Sequence, residues 1–390
     1  MNKKEANKKY LDKICGCLVG GAAGDALGYP VEFFSWREIQ KQFGAGGITE
    51  YQLDSQTEKA LISDDTQMTL FTATGILYGY TRGCLRGIMA PIEDYIYMAY
   101  LDWLTTQTKM KREVFENPDE TEGISWLLDI PQLYDNRAPG NSCLSALKSG
   151  RKGSLTEPIN DSKGCGGIMR IAPIALCAHM NYKSIQKIDL EGAKAASITH
   201  GHSLGYMPAA VLVHIIHCAV YENQSSHRNL YDIVEESKHA IVQLFTGNNN
   251  LTVLTSIMDK AILLSKNNRS DEENIRQLGE GWVAEETLAI ALYCSLKYQD
   301  NFSKGIIAAV NHSGDSDSTG AVTGNILGAY LGYDKIEEKW KNRLELKETL
   351  LEIAEDLCYG CQMAEYGDYY DEAWLKKYVY RKKFQNNTSI

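Results

Sequence analysis

Along most of this chain apolar residues return every third or fourth position, and the every-second-residue alternation of a half-buried strand is scarce. The helical period runs through residues 207–220, 233–245, 251–264, 283–296 and 336–357, each with a polar face opposite the apolar one. Leu11, Ile14, Leu18 and Ala22 share one face of a further segment that closes near Asp25. Residues 321–331 read as a buried helix, and residues 92–105 form another helical stretch rich in Tyr and Trp. Two shorter apolar helices are expected at 143–149 and 171–180. The predicted fold class is all-α: a compact, orthogonal helical bundle formed as a single domain over residues 1–390.

The connections are marked by their own residues. Pro30 disfavours helix at Tyr29 and predicts an extended exit over residues 29–34. Residues 109–137 carry Pro118 and Pro131 and predict a loop-rich excursion with one short helix near 124–128. Residues 138–142 are a turn ahead of the helix at 143, 265–280 a solvated connection, and 381–390 a polar tail expected to fray.

Two helical segments carry glycine at every fourth position: Gly16, Gly20, Gly24 and Gly28 near one end, Gly320, Gly324, Gly328 and Gly332 near the other. Each glycine inside a helix costs about 1 kcal/mol relative to alanine. A ridge without side chains therefore predicts that another backbone passes close by.

The second ridge begins at Asn311-His312-Ser313-Gly314-Asp315-Ser316-Asp317-Ser318-Thr319-Gly320, which packs two acids and four hydroxyls into one loop. A second acidic cluster, Ser63-Asp64-Asp65-Thr66, also precedes a helical pattern. Either cluster alone reads equally as capping, with Ser63 or Asp65 serving free N–H groups at a helix start. Together they have another reading. Four carboxylates in one pocket make six pairwise repulsions of roughly 3 kcal/mol each at an effective dielectric near 20. The total, on the order of 20 kcal/mol, exceeds the net stability of a typical protein. Divalent cations relieve it while keeping the acids ionised, and oxygen ligands suit Mg²⁺ or Mn²⁺ rather than zinc.

Charge and cysteine usage narrow the partners. A formal charge of −10 over 390 residues argues against a nucleic-acid-binding surface, so nucleic acid is expected only as a modified substrate. Ten scattered cysteines read as reduced, mostly buried thiols, and Cys358-x-x-Cys361 has no second pair at zinc spacing. The glycine-rich run after residue 13 is broken at Asp25 and reads as too short to span a bilayer. It also lacks a signal-peptide core. A cytoplasmic monomer without a membrane partner is expected.

A glycine loop, Gly164-Cys165-Gly166-Gly167-Ile168-Met169-Arg170, offers backbone N–H groups to a phosphate or ribose. With this loop, the two acidic clusters, and residues 20–32, 138–142, 199–200 and 279–286, the chain resembles the ADP-ribosylglycohydrolases. That group includes dinitrogenase-reductase-activating glycohydrolase and the ADP-ribosyl-acceptor hydrolases. The resemblance implies two Mg²⁺, with Mn²⁺ as a substitute, held by Ser63, Asp64, Asp65, Asp315, Asp317 and Ser318. It implies an ADP-ribose groove lined by Gly140, Asn141, Ser142, Gly164, Cys165, Gly166, Gly167 and Met169, with His200 beside it. Asp64, Asp65 and Glu32 are the candidates for proton transfer, and the choice among them stays open.

The implied reaction is hydrolysis of the bond between ADP-ribose and its acceptor, on protein or on a small molecule. ADP-ribosyl-arginine is the favoured substrate, because an acidic pocket mouth suits a guanidinium. The family more often has Thr where this chain has Ser63, Ser316 and Ser318, and Asn and Ala where it has Cys165 and Ile168. The hydroxyls are retained; the loop changes bear on the linkage cleaved. Two rival readings are an ADP-ribose-binding protein that has lost chemistry and a hydrolase of another ADP-ribosyl or nucleotide substrate.

Overall fold

The two glycine-ridged helices are each other's partners. The computed structural model describes residues 3–108, 123–177, 184–222, 228–361 and 371–379. Within it α1 (Lys3–Gly28) lies antiparallel along the helix Ser316–Leu331. A Cβ on Gly16 would stand 2.3 Å from the Gly328 carbonyl oxygen, one on Gly20 2.5 Å from that of Gly324, and one on Gly24 2.0 Å from that of Gly320. Backbone therefore touches backbone over four turns, and Asn325 adds a hydrogen bond from Nδ2 to the Cys17 carbonyl, 2.8 Å. The close packing offsets the helix propensity that the glycines forfeit.

Around this pair the chain adds α2 (Trp36–Phe43), α3 (Asp64–Arg86), α4 (Ile92–Thr108), α5 (Asn141–Lys148), α6 (Ala172–Leu176), α7 (Ile185–Ser197) and α8 (Ser203–His217). Then follow α9 (Leu230–Leu244), α10 (Leu251–Leu264), α11 (Asp271–Leu278), α12 (Ala284–Lys297) and α13 (Phe302–Val310). The glycine-ridged Ser316–Leu331 is α14, and α15 (Glu338–Lys341), α16 (Lys347–Tyr359) and α17 (Glu372–Tyr378) close the described chain. Among the described residues there is no strand, only isolated bridges between Ala60 and Leu344 and between Gly164 and Val283. The all-α expectation holds. The main apolar core runs through α1, α3, α4, α8, α12 and α16, and a smaller cluster gathers Leu27, Val31, Ile39, Phe302 and Trp340.

Several local expectations are corrected. Residues Tyr29–Val31 form a 3₁₀ turn instead of an extended exit, because Pro30 sits where its missing N–H costs nothing. The stretch 265–280 is not a plain connection: Ser270 and Glu273 make a reciprocal capping box that starts α11. The helical pattern 336–357 is broken between α15 and α16, where the Ala60 amide and carbonyl pair with Arg343 and Glu345 and Leu346 takes φ +53°. The short helix near 124–128 is a 3₁₀ turn at Trp126–Asp129, and α6 stops at Leu176. Residues 109–122 of the excursion, 178–180 of that helix and the tail 381–390 lie outside the described residues.

By length and composition two helical stretches, Tyr10–Val31 and Ser203–Glu222, are long and apolar enough to cross a membrane, so the first is not too short. In each, 89% of the apolar window is buried inside the protein, as in a core helix.

Candidate functional site

Antiparallel packing of α1 on α14 carries the start of α14 to the end of α1: a Cβ on Gly28 would lie 2.3 Å from the Ser316 carbonyl oxygen. The start of α3 is drawn to the same place by Asp25. Its buried carboxylate accepts from the backbone N–H of Ser63 at 3.0 and 3.1 Å and of Thr66 at 3.1 Å, and from the Thr66 hydroxyl. Ser63 caps α3 by accepting from the Asp65 N–H at 3.2 Å. Asp64 and Asp65 thus stand in the first turn of α3, and Asp64 Oδ2 accepts from the Gly140 N–H at 3.2 Å.

At the other helix Asp315 is the cap, accepting from the Ser318 N–H at 3.2 Å, and Asp317 accepts from the same N–H at 2.9 Å. The loop ahead of them is fixed by a close approach. Gly314 adopts φ +131°, and a Cβ there would fall 2.0 Å from the Glu280 carbonyl oxygen, which receives the Asp315 N–H at 2.8 Å. Thr319 locks the first turn, its hydroxyl donating to the Ala309 or Asp315 carbonyl and meeting His312 Nε2 at 2.9 Å. Glu32, just past α1, completes the acidic group from a third direction.

Glu32, Asp64, Asp65, Asp315, Asp317 and Ser318 line one cleft of about 330 Å³. All are at least nine-tenths buried. Burial pushes the Glu32 carboxyl up to about 9, with Asp315, Asp64 and Asp25 adding to it. Burial likewise raises Asp64 to about 8, reinforced by Asp25 and Asp315, against the Gly140 hydrogen bond. Asp65 and Asp317 are held well above the carboxylate range by burial and then by their acidic neighbours. The behind-lying Asp25 rises to about 6 through burial, opposed by its hydrogen bonds from Thr66 and Ser63.

The remaining walls come from loops. Asn141 and Ser142 begin α5 without a side-chain cap, leaving their amide N–H groups at the cleft, while Gly140 before them gives its N–H to Asp64. Gly164, Cys165, Gly166 and Met169 face them, and His200 closes the floor. His200 is held neutral, its pKa lowered to about 3 by burial and then by Arg170. Arg170 is itself fully buried, 4.3 Å above the Tyr100 ring and 2.6 Å from the Thr199 hydroxyl, which in turn meets His200 Nδ1 at 2.8 Å. That chain sets the His200 ring orientation. Burial raises the Cys165 thiol well above its usual value, next to Asp315 and Asp65.

Two expected residues are not on the lining. Ser63 sits behind it as the cap of α3, and Gly167 is packed at 2.9 Å from the Gly205 carbonyl oxygen, measured from a Cβ placed on it. Other lining residues went unpicked. Phe33 and Trp282, exposed by 69% and 38%, stack at 5.7 Å and 20° at the rim, and Cys143 lies in the wall. An exposed Phe directly after Glu32 was the readable signal for this pair.

A divalent cation suits these donors. Glu32 Oε2 and Asp65 Oδ2 are buried oxygens without a hydrogen-bond partner, and the lining has no Lys or Arg to neutralise five acids. Among the described residues the tight trio, with ligand atoms all within 4.8 Å of one another, is elsewhere: His214, Cys218 and Glu236.

Comparison with known proteins gives one consistent answer. The family model for ADP-ribosylglycohydrolase matches residues 6–366. Human ADP-ribosylhydrolase ARH3 is 23% identical, covering 90% of this chain and 93% of its own length. ADP-ribosylarginine hydrolase Tri1 of Serratia proteamaculans is 26% identical over 90% of this chain and 80% of its own. The ADP-ribosyl-[dinitrogen reductase] glycohydrolase of Rhodospirillum rubrum is 23% identical over 86% and 91%. A solved chain titled ADP-ribosylglycohydrolase-related protein complex superposes with a TM-score of 0.57 at 22% identity, over 90% of this chain and 98% of that one, and has the same fold.

Proposed function

Because the chain belongs to the ADP-ribosylglycohydrolase family and is a hydrolase of ADP-ribose linkages, we propose that it frees ADP-ribose from arginine with the help of two Mg²⁺. The single observation that carries this reading is the cleft lining, in which five buried acids face loop amides and no basic side chain. Asp64, Asp65, Asp315, Asp317 and Ser318 would hold the ions, with Glu32 at their edge and Ser63 supporting from behind. When bound, Mg²⁺ would supply positive charge for the ribose hydroxyls and for water, and Mn²⁺ would serve in its place.

The chain's own groups do the rest. The amides of Asn141, Ser142 and Gly166 take the pyrophosphate, which has no side-chain cation to meet, while those of Gly140, Gly164 and Cys165 are spent on Asp64, Ser162 and the Trp282 carbonyl. Met169 and the neutral ring of His200 pack beside the sugar. Glu32 carries the partnerless Oε2 and lies on the cleft wall just past α1, so it is the group we assign to proton transfer. Water adds its oxygen to C1″, the C1″–nitrogen bond breaks, and the proton ends on the acceptor. Asp64 is tied to the Gly140 amide and Asp65 lies deeper, which suits them to holding ions.

An acidic cleft without Lys or Arg is matched to a guanidinium leaving group, and this favours arginine over serine. The partner is then an ADP-ribosylated protein or a small ADP-ribosyl compound, approached as a cytoplasmic monomer. Release of ADP-ribose from arginine-, serine- and nucleic-acid-linked substrates tests the assignment. Faster turnover of the arginine linkage with Mg²⁺ is expected. Preference for a serine or nucleic-acid linkage overturns the acceptor, and turnover unaffected by chelator overturns the ions.

A further inference from the structure

Away from the cleft, the end of α8 gathers a second set of ligands. His214, Cys218 and Glu222 follow one another at every fourth residue, and the helix loosens into a π-helical turn over Cys218–Glu222. Such turns recur at functional sites because they re-aim side chains. From α9, Glu236 reaches the same point. One ligand atom each of His214, Cys218 and Glu236 lie within 4.8 Å of one another. Cys218 Sγ also stands 3.5 Å from Glu222 Oε2.

The histidine is set up as a ligand is. Its Nδ1 meets the buried carboxylate of Asp189 on α7 at 2.9 Å, which fixes the tautomer with the proton on Nδ1. The Nε2 lone pair is then left inside the protein with no hydrogen-bond partner. Glu236 Oε1 is 3.9 Å from that Nε2, too far for a hydrogen bond. Ligands about 2.1 Å from a tetrahedral ion sit roughly 3.4 Å apart, so a small side-chain shift closes the gap. Arg228 holds both carboxylates beside the site, pairing with Glu222 Oε2 at 3.3 Å and with Glu236 Oε2. Counting Asp189, a thiolate and three carboxylates then face that arginine and one divalent ion, a net charge of −1.

We propose that His214, Cys218, Glu222 and Glu236 form a closed structural site for Zn²⁺, oriented by Asp189 and separate from the acidic cleft. The imidazole and the thiolate select zinc over the hard cations suited to the cleft. Binding breaks the Cys218 S–H bond and forms the S–Zn bond, releasing that proton to solvent. The ion staples the end of α8 to α9.

The test uses the whole protein, stripped by chelator and titrated with Co²⁺ as a coloured stand-in for Zn²⁺. With excess Mg²⁺ present to fill the acidic cleft, the expected result is a thiolate-to-cobalt charge-transfer band that saturates at one equivalent and is displaced by Zn²⁺. Cys218→Ser should abolish the band, and Asp189→Asn should weaken binding about 10–100-fold. Glu236→Gln, at a part-exposed position on α9, should also weaken it and serves if Cys218→Ser does not fold. Asp315→Ala in the cleft should leave the band intact. No band in the unmodified protein, a band that survives Cys218→Ser, a band lost with Asp315→Ala, or unchanged affinity in Glu236→Gln overturns the site.

Discussion

At the scale of single residues the site is a set of protons held against solvent. In the ion-free protein Asp64 titrates at about 8 and Glu32 at about 9, against 3.8 and 4.5 for the free side chains. Between those limits the folded chain binds protons that the unfolded chain has released. Its stability is therefore full below about pH 4 for these groups and falls as pH rises to about pH 9. Melting curves in chelator at a series of pH values should show that decline, and added Mg²⁺ should stabilise more at alkaline than at acid pH. A flat profile in chelator would show that these carboxyls are not proton-loaded. Glu32→Gln keeps the volume and removes the exchangeable proton. It should lower kcat roughly 10²–10⁴-fold on the arginine-linked substrate while ADP-ribose affinity holds. Wild-type kcat in that variant moves the proton to another acid. Asp315→Ala should remove Mg²⁺-dependent stabilisation as well as turnover, and a retained melting response to Mg²⁺ would take Asp315 out of the ion site. The acids themselves were legible in the sequence because hydroxyl-flanked carboxylates ahead of apolar helices are conspicuous. Asp25 was not, since its role is to receive two amides of α3, and nothing local announces a partner about 40 residues away.

At the scale of elements the glycine ridges position the chemistry. A Cβ on Gly324 would fall 2.0 Å from the Gly20 carbonyl oxygen, which is backbone and cannot step aside. Even Gly324→Ala must push α14 off α1, and overpacking of this kind costs at least about 1–3 kcal/mol. Gly324→Leu should cost more. Gly140→Ala is the control: a Cβ there has nothing within 4 Å, so stability should hold while any loss appears in ADP-ribose binding. Denaturant unfolding of the three variants separates the two effects, and equal stability of Gly324→Leu and Gly140→Ala would contradict the backbone contact. The periodicity alone made the ridges readable as close-approach surfaces. It did not reveal that they approach each other, because a four-residue period fixes a face and not a partner. The failures have the same origin. The Ser270–Glu273 capping signature lay in a polar stretch without apolar period, and the break before α16 is imposed by a bridge to Ala60.

At the scale of the whole molecule the question is which part of the substrate each end of the chain holds. Positions about 250 residues apart, Asp64 and Asp315, meet only because α1 joins both: its glycines carry α14 and its Asp25 carries α3. No local pattern contains that closure; in the sequence only the resemblance to a family implies it. The cleft that results has two unlike ends. In the proposed reading the acids serve ions and a ribose and the loop amides serve phosphates, with Phe33 and Trp282 stacked at the rim. AMP has the adenosine and a phosphate but lacks the distal ribose, so it can satisfy only the second end. ADP-ribose should bind more tightly than AMP, and Mg²⁺ should widen the difference because only the distal ribose reaches the ions. Calorimetry with both ligands, in Mg²⁺ and in chelator, measures the four affinities directly. Equal affinities for ADP-ribose and AMP, or a difference that Mg²⁺ leaves unchanged, would mean that the distal ribose does not sit among Asp64, Asp65, Asp315 and Asp317.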